Sequence, residues 1–178
     1  EIRHGVSGRI IPEVANGGDF IPVVSPRGRP QLKRWLTGRS IRLLMEQIRN
    51  PILYVPQARL PVKKLLVTVG GLGYGEAAEN IAVQVARANA AEVTILYVVP
   101  PTDLDYPSTR GVREHVANLA ETNTLPGRSL RKALEVAQGA GLNAKTKARQ
   151  GISVEEILAE IREGDYALVC MGWAYSAN

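Results

Sequence analysis

The chain has 178 residues, 45% of them hydrophobic and 22% charged, which excludes a disordered or collagen-like protein and suits one well-buried domain with an extra piece. Aromatic residues make up only 5%, so the core must be built from Val, Ile, Leu and Ala. The net charge of +5 is uneven: residues 1–64 hold 12 Lys/Arg against 4 Asp/Glu, and residues 65–178 hold 10 against 13. Such asymmetry suits a phosphate, nucleic-acid or membrane surface, or a solvated basic face, and we read it as the last of these. No apolar run approaches the length of a membrane span, and no signal peptide is visible. Cys170 is the single cysteine, so an internal disulfide is excluded; an inert buried thiol in a reducing cytoplasm is expected.

In chain order, a first helix is followed by a strand from Phe20 to Val24, a basic loop, a helix from Ser40 to Ile48 and a strand from Ile52 to Val55. Pro56 to Pro61 reads as a linker. Leu65 to Val69 is then a strand, and the glycines at 70, 71, 73 and 75 lead into a helix from Glu76 to Asn89, with Ala78, Ile81, Ala82 and Val85 at helical spacing. Glu92 to Val99 is a second strand, closed by Pro100 and Pro101. Residues 102–128 are polar and interrupted by Pro107, Gly111, Pro126 and Gly127, with a helix expected from Val112 to Glu121. A helix from Ser129 to Gln138 buries Leu130, Ala133, Leu134 and Ala137 and stops at Gly139-Ala-Gly141. Asn143 to Ala148 is a strand of mixed polarity near a sheet edge. Ser153 reads as an N-cap with Glu156 completing a capping box, and Val154, Ile157, Leu158 and Ile161 form the helix's apolar face. Tyr166 to Met171 is a short buried strand. Strands alternating with helices give right-handed crossovers and a parallel sheet, so the fold class is α/β.

The chain also repeats itself. Gly5-Val-Ser7, Ile11 and Gly18-Asp-Phe20 recur without a gap as Gly151-Ile-Ser153, Ile157 and Gly164-Asp-Tyr166, at an offset of 146 residues. Arg3 with Arg149, and Val23 with Val169, keep the same offset. A period of this size is a whole domain rather than a solenoid unit. Residues 1–60 therefore read as the tail of one repeat and residues 61–178 as the front of a second. Either the two parts combine into one composite domain, or each depends on further segments or a partner chain.

These residues resemble the universal stress protein family. Leu65 to Ala82 is similar to its first strand and alanine-rich helix, and Gly164 to Gly172 to the approach to its phosphate loop. Ser25-Pro-Arg-Gly28, nine residues and Gly38-Arg39-Ser40 resemble the family's Gly-x-x-Gly-x9-Gly-Ser/Thr loop. Ile48 to Val55, with Pro51, resembles the closing helix end and last strand. The resemblance implies an open five-stranded parallel sheet with helices on both faces and strand order 3-2-1-4-5. It also implies homodimers, or tandem domains packed through the last strand, and ATP or AMP as ligand. Carried over residue by residue, the nucleotide would meet Gly28, Gly38, Arg39 and Ser40 at the phosphates, with Gly70, Gly71 and Gly172 at the strand ends. Four positions depart from the pattern: Ser25 replaces a glycine, Arg39 a Ser/Thr, Gly70 the Asp that meets adenine in the family, and Tyr175 the second glycine of the second repeat's loop. The expectation is a non-catalytic stress-response or signalling protein with weak nucleotide binding; the alternative is a degenerate dimerisation module that no longer binds nucleotide.

Other chemistries fit less well. Gly70 to Gly75 has the Walker spacing, but Glu76-Ala77 follows where Lys-Ser/Thr is needed. His4 and His115 have no Cys or carboxylate at metal-ligand spacing, so no metal site is expected. Glu155 and Glu156 fit a helix's first turn, where they complement its dipole. Trp35 shares a helical face with Leu32 and Leu36, which core packing explains, and no nucleic-acid partner is expected.

Overall fold

Residues 2, 4–18, 20–25, 42–70, 76–101 and 115–172 are described by a computed structural model. The chain divides into two compact units, residues 1–58 and 59–176, with the boundary inside the expected Pro56–Pro61 linker.

The first unit holds α1 (Ser7–Asn16), β1 (Val23–Val24), helical residues 42–47 (α2) and β2 (Leu53–Tyr54). β1 and β2 pair in parallel, Val23 opposite Leu53 and Val24 opposite Tyr54. Ala15, Leu44 and Ile48 are buried against Ile11, Val24 and Ile52. Polar ties join the same elements: Asn50 Nδ2 donates to the carbonyls of Ala15 (2.8 Å) and Gly18 (2.7 Å), satisfying acceptors at the end of α1. Asn16 donates to the Gln47 carbonyl and accepts from the Arg49 amide. The expected strand from Phe20 narrows to two residues. Pro22 has no N–H to give to a ladder and contributes only its carbonyl, which accepts from the Leu53 amide at 3.0 Å.

The second unit carries β3 (Lys64–Thr68), α3 (Glu76–Asn89), β4 (Glu92–Val99), a 3-10 helix (Val116–Glu121), α4 (Leu125–Gly139), β5 (Ala144–Gln150), α5 (Ser153–Gly164) and β6 (Leu168–Met171). Its sheet is parallel with order β5-β4-β3-β6. Alternate side chains go to opposite faces. Leu65, Val67, Val93 and Ile95 pack with Ala82 and Ala86 of α3 and with Leu130, Ala133 and Ala137 of α4. Leu66 and Leu96 point the other way, toward Tyr166, Ile157 and Ile161. Helices therefore cover both faces, as an α/β parallel sheet requires.

α3 and β4 keep the bounds read from the sequence, and β5 lies at the sheet edge. α4 begins four residues earlier than expected, at Leu125 rather than Ser129. Pro126 and Gly127 belong to its first turn, where a missing N–H costs little, and the Thr124 hydroxyl caps it by accepting from the Gly127 amide at 3.2 Å. Of the helix expected from Val112, the described part is the 3-10 turn. The capping box at Ser153 does not form: Ile152 is the N-cap, no side chain caps the helix, and Glu156 is drawn to Arg149 instead.

The local geometry recurs at the offset of 146 residues. Gly5 and Gly151 have φ of 147° and 152°, values that disfavour a side chain, and each lies two residues before a helix that opens on Ser. Gly18 lies against the Phe20 ring and Gly164 against the Tyr166 ring, too close in both cases for a Cβ.

Candidate functional site

In the second unit, β3 leads to β4 and then β5 on one side, while β6 returns to pair with β3 on the other. The order reverses between β3 and β6, and open α/β sheets bind ligands outside the carboxyl ends of the strands at that point. Thr68 stands opposite Met171, so Gly70 and Gly172 both emerge there. The Val69 amide still donates to the Leu96 carbonyl at 2.9 Å; beyond it Gly70 is exposed. Among the described residues, a Cβ on Gly70 would meet nothing within 4 Å. Of the residues singled out from the sequence, the structure sets Gly70 and Gly172 beyond the carboxyl ends of the adjacent strands β3 and β6. Gly28, Gly38, Arg39, Ser40 and Gly71 lie outside the described residues, as do Trp35 and Tyr175.

A second constellation was not anticipated. On β5, Lys145, Lys147 and Arg149 share one face, opposite Glu156, Glu160 and Glu163 of α5. Arg149 donates from Nε to Glu156 at 2.7 Å, and from a terminal nitrogen to Glu160 at 3.0 Å and Glu163 at 2.8 Å. Glu160 is only 1% exposed, yet its carboxylate also takes Lys147 Nζ at 2.6 Å and the Tyr166 hydroxyl at 2.7 Å. Burial pushes the Glu160 carboxyl upward, but hydrogen bonds from Lys147, Tyr166 and Arg149 outweigh it, and the pKa falls below the usual carboxylate value. Burial raises the Tyr166 phenol. Lys145, Lys147, Glu160, Glu163 and Tyr166 border a depression of about 190 Å³ between α5 and the amino-terminal ends of the strands. The signal was present in the sequence as basic residues at period two and acidic residues at helical spacing. In sequence, the strand shows only mixed polarity, because each half makes sense only against the other.

The apolar face assigned to α5 changes accordingly. Val154 is 67% exposed and Leu158 44%, while Glu160 is buried between Ile157 and Ile161. Cys170 is half-buried, and burial pushes its thiol up to about 11, so it is protonated at neutral pH. Among the described residues no three His, Cys, Asp or Glu side chains gather to hold a metal, and no helix is long and apolar enough to cross a membrane.

A parallel sheet flanked by helices, with exposed glycines where its strand order reverses, defines a doubly wound α/β protein. The Universal stress protein family matches residues 61–175, and the chain belongs to that family. Among solved structures, a universal stress protein family member from Burkholderia pseudomallei is similar at 21% identity and a TM-score of 0.49, covering 63% of this chain and 82% of that one. A universal stress protein in complex with cAMP is similar at 21% identity and 0.47, covering 60% and 73%. The universal stress protein UspA from Lactobacillus plantarum is similar at 20% and 0.44, covering 68% and 83%. No curated protein matches the chain.

Proposed function

We propose that this universal stress protein is non-catalytic, acts in a stress response or in signalling, and binds adenine nucleotide, ATP or AMP, weakly. The supporting observation is the reversal of strand order between β3 and β6, where Gly70 and Gly172 leave backbone accessible at the carboxyl ends. We assign Gly28, Gly38, Arg39 and Ser40 to a phosphate loop that follows β1 as Gly172 follows β6. Residues 1–60 are then the tail of a first repeat and residues 61–178 the front of a second, a reading supported by the shared glycine geometry at 5 and 151. The single cysteine supports a cytoplasmic location.

Titration calorimetry with ATP and AMP tests this reading. Saturable heats that weaken at least about tenfold in an Arg27→Ala/Arg39→Ala protein support it, since charge-assisted phosphate contacts carry such differences. Gly70→Asp has open space to enter and should favour adenine over guanine nucleotides. No heat at millimolar nucleotide would sink the proposal. A second reading, a dimerisation module without nucleotide, is favoured by the missing carboxylate at Gly70. It predicts concentration-dependent self-association that ATP does not alter.

A further inference from the structure

Buried ion pairs are often replaceable by apolar side chains at no cost to stability, so their retention calls for a reason other than packing. This chain carries its own comparison. At the offset of 146 residues, Glu156, Glu160 and Tyr166 correspond to Ile10, Val14 and Phe20. The same helix-to-strand segment is thus built once with apolar residues and once with a charged network. The charged version borders the depression of about 190 Å³, equivalent to about six waters.

The groups around that depression fall into two sets. Glu160 and Glu163 are engaged by Arg149 and Lys147. Lys64 on β3, Glu92 on β4 and Lys145 on β5 line the same space and make no ion pair among the described residues. Lys64 stands opposite Glu92 in the sheet, and Lys145 opposite Thr94. The mouth therefore presents charges of both signs that pair with no described residue, and buried Thr94 and Tyr166 lie at its inner side. The carboxyl end of α5, at Gly164, adds a negative dipole end that favours a cationic group nearby. A bare anion would meet Glu92, Glu163 and this dipole; a bare cation would meet three lysines. A molecule carrying both charges meets neither conflict.

We propose that the depression between α5 and the amino-terminal ends of β3, β4 and β5 binds a small zwitterion of amino-acid size. Its carboxylate lies toward Lys64 and Lys145 and its ammonium toward Glu92 and the end of α5. The site is at the opposite end of the strands from Gly70 and Gly172, and it is independent of nucleotide binding. Amide chemical shifts of the full chain, followed during titration with each protein amino acid, provide the test, with acetate, methylammonium and inorganic phosphate as single-charge probes. The expected result is a saturable response at Thr94, Lys145 and Tyr166 for at least one amino acid, with every single-charge probe at least about tenfold weaker. Lys145→Met and Glu92→Gln, both at exposed positions, should each weaken binding at least about tenfold while leaving the unfolding midpoint unchanged. The proposal is overturned if no amino acid gives a saturable response, if phosphate or acetate binds as tightly, or if both variants bind like the parent.

Discussion

Glu160 is the buried charged side chain among the described residues of the second unit. It is matched by Lys147, Arg149 and Tyr166, so deleting it leaves Lys147 and the Tyr166 phenol without their acceptor and Arg149 with only Glu156 and Glu163. Glu160→Leu should cost about 3 kcal/mol of stability, measured from urea midpoints, because breaking one side of a buried ion pair costs more than the pair contributes. Its titration has a definite sign. The folded-state pKa lies below the unfolded one, so the contribution is present above the unfolded carboxylate value and is lost as pH falls through the folded value. Stability should therefore decline on acidification below about pH 4, and Glu160→Gln should flatten that decline. An unaltered acid limb in the Gln protein would show that other carboxylates govern it.

Among the elements, α5 depends on the turn that introduces it. Gly151 has φ of 152°, and its amide donates to the Val99 carbonyl at 3.0 Å, fixing the exit of β5 beside the end of β4. A Cβ there would also meet the Glu156 carboxylate at 2.8 Å, a group already held by Arg149. Gly151→Ala should lose about 1–3 kcal/mol by thermal or chemical unfolding, since both the backbone conformation and the Arg149 clamp resist it. The elements were unevenly legible beforehand. α3 and β4 emerged with their expected ends because apolar residues keep one period throughout each. The start of α4 was lost because Pro126 and Gly127 read as breakers, although a helix's first turn tolerates both. On α5, the regular spacing of Val154, Ile157, Leu158 and Ile161 marked a helix correctly, but hydrophobicity could not tell which of its sides faces the sheet.

Across the whole molecule, the distribution of buried surface predicts where it opens. β3 and β4 are paired along their length and enclosed between helices, whereas β1 and β2 share a two-residue ladder over a core of Ala15, Leu44 and Ile48. Hydrogen exchange should find the amides of Leu65 to Val67 and Val93 to Leu96 protected to near the free energy of global unfolding. The Leu53 and Val55 amides should exchange by local opening at much lower free energy. Equal protection in the two units would contradict this picture.

The sequence alone determined the α/β class, the succession of elements in the second unit, the linker and the 146-residue recurrence, because each rests on local periodicity or on residues at fixed spacing. It also marked Gly70 and Gly172, since glycines after short apolar runs are visible without knowing what neighbours them. Only the tertiary structure decided that these two glycines follow the carboxyl ends of the adjacent strands β3 and β6, and that Arg149 and Lys147 neutralise a carboxylate buried on α5. Both are relations between segments far apart in the chain. A basic residue on a strand looks solvated until a helix laid across the sheet brings its acidic partner within 3 Å, and that crossing is set by packing rather than by any local preference.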